Sequence, residues 1–394
     1  MAIELYREFC TGCGLCKAVY GVSLYEDEKG YSVPELMQEQ ELFCSKVCPA
    51  SGYALKNYQD GSIWGAYILS TLGWSADPII RKGSSSGGIL TTLCIYLLEN
   101  GLVDGIIQTR QSLTDIRKTE TVLSKTKEDV LSCMGSRYTA SSPLANLDAL
   151  IKGGGRYAFV GKPCDVSSLR IYIDEIKPEL KNTIIYLFSF FCAGQPSILA
   201  NNKLVEALGG VKLNDCTDLQ YRGHGWPGYA TLTLKDGTKK QMDYETSWMR
   251  ILGRDVRMGC RFCADGTGEL ADISCGDAWY LDEKEKPDFT ERPGRNVIFA
   301  RTEAGNNLLD KVIKDGCIEV SSFDPDRDGL RKMQPYHYTR KASLLVYRNA
   351  FRICGRAYPQ YDKKKLRQFA KGFSFKQKVL RFGGTIQRIL KGII

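Results

Sequence analysis

Fifteen cysteines set against two histidines make thiolate chemistry the first question this chain raises. Cys10, Cys13 and Cys16 repeat as C-x2-C-x2-C, and a Cys48-Pro49 pair follows further along. Three thiolates so spaced can take three irons of a cubane, with the fourth ligand arriving from a distant Cys-Pro. In two-cluster ferredoxins the fourth cysteine of each run serves the other cluster, which offers a check. The position four beyond Cys16 is Tyr20, and the run leading up to Cys48 holds Cys44, Glu41 and Gln38. A second cluster has therefore lost its ligands, and the spacing predicts one 4Fe–4S site on Cys10, Cys13, Cys16 and Cys48, with Cys44 a remnant. A zinc knuckle needs only paired C-x2-C units and leaves the third cysteine and the Cys-Pro unexplained.

Cys260 and Cys263 form a lone C-x2-C, and two ligands complete no site. Cys164 in VGKPCDVSSLR and Cys192 in SFFCAGQPS each follow an apolar stretch that reads as a buried strand. Gly83-Ser84-Ser85-Ser86-Gly87-Gly88 opens a helical pattern, where free N–H groups suit an anion. The same stretch is also an ordinary loop and cap. It matches neither the G-x-G-x-x-G nor the Walker pattern, so NAD and ATP sites are unsupported. Arg222 and His224 in YRGHGWPGY are candidates for proton donation, because an imidazole titrates near neutrality. A turn residue among glycines is the plainer reading of His224.

These residues need a scaffold. SSGGILTTLCIYLLENG predicts a helix stopping at Asn100-Gly101, while LVDGIIQT, RYAFVG and TIIYLFSFFC predict strands. Asp236-Gly237 inside ATLTLKDGTKKQMDY signals a hairpin. Alternating strands and helices with one ribbon predict an α+β fold around a partly parallel sheet. No solenoid-length repeat occurs.

Taken in order, SSSGGILTTL, the GSRY of 135–138, GKPCDVSSLR, FFCAG and the C-x2-C ahead of ELADISCGDAW resemble the beta subunit of coenzyme F420-reducing hydrogenase and its relatives. Those relatives include sulfite reductase and glutamate synthase partners and the plant hydroxymethyl chlorophyll reductase. With a ferredoxin-like N-terminal module, the resemblance covers about residues 1–320. It implies a flavoprotein that holds FAD beside a 4Fe–4S cluster, with Cys164, Cys192, Cys260 and Cys263 as that cluster's ligands. It also implies a flavin near Ser85, Ser86, Gly87, Gly88, Ser136, Tyr138 and Lys162, the lysine supplying positive charge by the ring or phosphate. Asp277 and Trp279 either pack at the flavin or only finish a strand. Cys94, Cys133, Cys216, Cys275, Cys317 and Cys354 are left as core or surface thiols.

The expected organisation is a small ferredoxin-like 4Fe–4S domain at 1–60, a mixed-sheet flavin and 4Fe–4S core at 61–345, and a basic amphipathic tail at 346–394. Hydrophobic residues make up 43% of the 394 and charged ones 25%, which excludes wholesale disorder. No apolar run reaches the roughly 18–20 residues of a membrane span, and MAIELYREFC carries no signal segment. A cytoplasmic protein is expected, with contact to the inner face of the membrane left open. The net charge of +9 is local: ten of the 54 Lys and Arg lie from Lys363 to Lys391, no acid follows Asp362, and 44 basic residues face 45 acidic ones before it. A folded nucleic-acid binder would be basic on its body, so none is expected. In the tail, Val379, Phe382, Ile386, Ile389 and Ile393 recur at helical spacing. That face suits either an anionic membrane surface or docking on protein.

The function expected is an iron–sulfur flavoprotein oxidoreductase. Electrons would pass between an external ferredoxin-type carrier, two 4Fe–4S clusters and a flavin that reduces or oxidises an organic substrate or coenzyme F420. The alternative is a non-catalytic electron-entry subunit of a larger redox complex. A structural zinc protein is a third reading.

Overall fold

The computed structural model describes residues 2–52, 62–209 and 213–394. The expected boundary at 60/61 lies outside them. Eight strands form the main sheet: β1 (Leu69–Ser75), β2 (Gly105–Gln111), β3 (Thr119–Ser124), β4 (Tyr157–Gly161), β5 (Ile184–Phe190), β6 (Ile273–Asp277), β7 (Asn296–Ala300) and β8 (Ile318–Ser322). Their order is β8-β1-β7-β6-β5-β4-β2-β3. The four strands β2, β4, β5 and β6 run parallel, with Ile107 opposite Phe159, Val160 opposite Phe188 and Phe188 opposite Ile273. The flanking strands are antiparallel to them or to one another. The fold is α+β around one mixed sheet.

Both faces of the sheet are covered, which is why its central strands read as apolar runs rather than alternations. Successive side chains point to opposite faces. Ile106, Ala158, Phe188 and Ile298 join the helix Ile89–Glu99 in one core. Ile107, Phe159 and Leu187 join the helix Pro163–Glu175 in the other. The predicted hairpin forms as well: Lys239 pairs with Thr233, and Gly237 takes the left-handed φ of 83° that its turn requires.

Among the described residues, the N-terminal segment packs into the core of the body. Tyr6, Phe9, Leu15, Phe43 and Val47 share one buried cluster with Leu169, Tyr172 and Phe262. Phe9 meets Phe262 edge-on at 5.1 Å and Phe351 at 6.2 Å.

The C-terminal region is built onto the body. The helix Pro335–Ile353 runs through residue 345 and buries Leu344, Ala350 and Phe351, and its Lys341 pairs with Glu269 below the surface. The last helix, Phe375–Leu390, starts with a Ser374/Gln377 capping box and lies along it. It continues through Gly383 and Gly384, since packing offsets a propensity loss of about 1 kcal/mol per glycine. Its predicted apolar face is split. Phe382, Ile386 and Ile389 turn partly inward beside buried Thr385, whereas Val379 and Ile393 remain 52% and 61% exposed. Among the described residues no helix is long and apolar enough to cross a membrane.

Candidate functional site

The first cysteine site is a loop held by two glycines. Gly12 and Gly14 adopt φ of 73° and 86°, which wraps Cys10, Cys13 and Cys16 around a common centre, and the Gly12 N–H donates to the Cys10 sulfur at 3.3 Å. The loop is anchored to the body where the Leu144 N–H donates to the Cys13 carbonyl at 2.9 Å. Cys48 comes in at the end of the helix Glu41–Val47. All four thiols of the predicted set line a small space of about 30 Å³ with Tyr6, Leu36 and Phe43, and Cys44 lines it too. Burial pushes the Cys13 thiol up to about 11 and raises Cys48 as well, so these thiols stay protonated until a cation draws the proton off. Among the described residues no three His, Cys, Asp or Glu side chains converge on the point a single ion would occupy. A cubane asks for something else, one thiolate at each of four corners, and the donor set and its apolar surroundings fit that demand.

The second set is gathered from strand ends. Cys164 sits in the first turn after β4, Cys192 just after β5, and Cys260 and Cys263 on and after the short helix Met258–Arg261. Cys164 and Cys263 line a second space of about 30 Å³. Cys192 and Cys260 stand near both Cys164 and Cys263. Burial pushes Cys192 up to about 11 and Cys263 up to about 12. Arg340 fixes the Cys192 loop by donating to the carbonyls of Cys192 at 2.9 Å and Ala193 at 3.1 Å.

The two sites touch. A Cβ on Gly259 would come within 2.4 Å of the Phe9 carbonyl oxygen and 3.2 Å of that of Cys10, so only glycine lets the two loops meet. Thr11 lines both small spaces, and its buried hydroxyl has no hydrogen-bond partner.

Beyond Cys192 opens a cavity of about 510 Å³. It lies at the C-terminal ends of β2, β4, β5 and β6, where open α/β sheets bind ligands. Ser85, Ser86, Gly88, Ser136, Tyr138, Lys162 and Arg222 of the predicted residues all line it. Gly87 lies instead against the sheet, where a Cβ would meet Asn296 Oδ1 at 2.7 Å and the Gly73 carbonyl oxygen at 2.8 Å. The loop is stitched to its neighbours: the Ser136 N–H donates to Ser85 Oγ at 2.7 Å, and Ser86 Oγ donates to the Arg295 carbonyl at 2.9 Å. Burial works against the Lys162 ammonium, but the Asp165 carboxylate 2.8 Å away overrides it and holds the lysine charged. Four polar atoms on residues of the wall, Ser84 Oγ, Arg137 Nε, Gln195 Oε1 and Asn296 Oδ1, are buried without a partner. Each such atom costs about 1–3 kcal/mol unless something satisfies it, and a polar ligand would.

Arg222 is not a proton donor. It is fully buried and forked onto Asp277 at 3.0 and 3.1 Å, and it also donates to the Pro227 carbonyl and the Tyr138 hydroxyl. A guanidinium in that setting does not release its proton. Its charge lies under Tyr244 and Trp279, which with Trp248 and Phe289 make an aromatic side of the cavity. Asp277 also accepts from Trp226 Nε1 at 2.8 Å, and the Trp226 and Trp279 rings stack at 4.5 Å. Asp277, which ends β6, and Trp279, just beyond it, both face the cavity. His224 is exposed, in a turn with φ of 54°, and is not part of the cavity wall. The other histidine, His337, is on that wall, and burial followed by the nearby Arg340 charge lowers its pKa well below the usual value. Nothing in its local sequence, PYHYTR, signals this. Asn296 and Gln195 were equally silent, because the sheet and not a motif brings them in.

Models of the coenzyme F420 hydrogenase/dehydrogenase beta subunit match residues 70–148 with its N-terminal part and 154–326 with its C-terminal part. The chain belongs to this family. The coenzyme F420 hydrogenase subunit beta of Methanococcus voltae is 26% identical over 282 residues, 71% of this chain and 92% of that one. The coenzyme F420-dependent sulfite reductase of Methanocaldococcus jannaschii is 26% identical over 330 residues, 78% of this chain but 46% of the longer relative. In the solved F420-reducing [NiFe] hydrogenase complex from Methanosarcina barkeri, one chain superposes with a TM-score of 0.58 at 21% identity, covering 76% of this chain and 98% of its own. That likeness concerns the fold. The family segments begin after the first cysteine site and take in all of the second.

Proposed function

We propose that the chain is an iron–sulfur flavoprotein oxidoreductase that moves electrons between an external ferredoxin-type carrier, two 4Fe–4S clusters and FAD, acting on an organic substrate or on coenzyme F420. The observation that carries this reading is the order of the spaces: Thr11 lines both small cysteine spaces, and Cys192, grouped with the second set, lines the large cavity. A flavin, when bound, couples two-electron chemistry on a substrate to single-electron transfer with clusters.

The chain's own residues do the rest. Cys10, Cys13, Cys16 and Cys48 would hold one cluster, and Cys164, Cys192, Cys260 and Cys263 the other. Lys162, kept charged by Asp165, offers a fixed cation on the cavity wall, where it favours an anionic ligand. The Ser84–Ser86 loop and Ser136 offer polar contacts, and Arg222 positions the Tyr138 hydroxyl at 3.3 Å. Anaerobic purification with iron, sulfide and flavin counts tests the whole reading. About eight irons and one flavin per chain support it, and a colourless zinc protein refutes it.

The names of the relatives, several of them subunits, favour a second reading in which this chain is the electron-entry subunit of a larger complex. Turnover by the isolated chain would decide against that reading.

The last helix suits an anionic membrane surface. Phe375, Val379, Leu390 and Ile393 are exposed along one flank, among the ten basic residues from Lys363 to Lys391. The full chain should co-sediment with phosphatidylserine vesicles at low salt and Val379→Ser/Leu390→Ser should not; equal sedimentation would remove this proposal.

A further inference from the structure

The spacing leaves Cys44 as the survivor of a lost ligand run, yet the structure does not strand it. Cys44 is 3% exposed in the last turn of the helix Glu41–Val47. Cys48 follows one helical turn later and donates its N–H to the Cys44 carbonyl at 3.0 Å. Positions four apart share a helix face, and both residues line the same small space as Cys10, Cys13 and Cys16. A buried cysteine is ordinarily a small hydrophobe among aliphatic neighbours. This one is a fifth thiol around a space where a cubane takes four.

We propose that Cys44 is a standby ligand of the N-terminal iron–sulfur site, able to replace Cys48 at the fourth corner. The proposal rests on the reading that this space holds a 4Fe–4S cluster. The exchange is redox-neutral: the iron–sulfur bond to Cys48 breaks, one to Cys44 forms, and the Cys44 thiol proton passes to the released Cys48 sulfur. Only the end of a seven-residue helix has to adjust.

The test uses the full chain, reconstituted anaerobically, with iron and sulfide counts and the EPR spectrum of the reduced protein. Cys13→Ala should lose about four irons, the content of one cubane. Cys44→Ala and Cys48→Ala should each keep the wild-type count, and the double variant should lose as much as Cys13→Ala. Unchanged flavin content reports that each variant has folded. Cys48→Ser, which preserves the shape of the helix end, should give the same EPR signal as Cys48→Ala, because residue 48 is then off the iron. A Cys48→Ala variant as depleted as Cys13→Ala, a double variant with full iron, or different signals from the two substitutions at 48 would each overturn the proposal. A Cys13→Ala variant that loses no iron sinks the cluster reading itself and the proposal with it.

Discussion

The first cysteine site draws its thiols from residues 10 to 48 and shapes them with turns at Gly12 and Gly14, whereas the second draws on residues 164 to 263 and forms only because β4, β5 and the 258–263 loop end at one edge of the sheet. The first is a local object that the body merely encloses. The second, with the large cavity beside it, is a product of the topology. Damage to the sheet end should therefore be felt unequally by the two.

The largest expected effect comes from Asp277→Ala, which leaves the Arg222 guanidinium buried and unpaired. Removing one partner of such a pair costs about 3–5 kcal/mol, to be read from denaturant unfolding. Flavin retention should fall with it while the N-terminal cluster signal persists in the folded fraction. Equal loss at both sites would break the contrast.

Gly259→Ala sharpens the contrast at the contact between the two sites. The new Cβ cannot fit against the Phe9 carbonyl, so the loops must separate at a cost of about 1–3 kcal/mol. Stopped-flow reduction should then show the second site filling more slowly than the first, and unchanged rates would mean that this contact is not the path.

A smaller effect should appear with pH. His337 is neutral in the fold, and its pKa is held far below the unfolded value by burial and by Arg340. Below about pH 6.5 the unfolded chain takes up a proton that the native one refuses, so stability falls as the pH drops through that value. The slope is about 1.4 kcal/mol per pH unit for one group. His337→Gln should flatten this part of the stability curve, and a curve of unchanged slope would assign the pH dependence to other groups.

Thr11→Val should do least. It removes a hydroxyl that faces both cysteine spaces without a partner, and hydrogen bonds to cluster sulfurs raise reduction potentials. A redox titration should find the potential lowered with iron content unchanged.

The same contrast explains what could be read in the sequence. The helix Ile89–Glu99 and the strands at 105–111 and 184–190 declared themselves through periodicity and stop signals. The grouping of Cys10, Cys13, Cys16 and Cys48 around one space was legible because their spacing is local. Grouping Cys164 and Cys192 with Cys260 and Cys263 needed the family resemblance, since beyond the one C-x2-C pair these cysteines have no short spacing to interpret. Asn296, Gln195, His337 and Arg340 gave no signal, because each earns its place only when distant strands and a C-terminal helix meet. An apolar helical stripe reads the same whether it meets lipid or protein, so the split face of the last helix had to be seen. Gly87 was legible as a glycine that mattered, but the approach that demands it is to β7 and β1, not to a ligand.

The aromatic contact of Phe9 with Phe262 and Phe351 also orders events in time. During synthesis Phe9 emerges from the ribosome long before the two rings it packs against. Until residue 351 has been made, that ring, next to Cys10 in the chain, lacks one of its two aromatic partners. The core around the N-terminal segment is thus completed only from the far end of the chain.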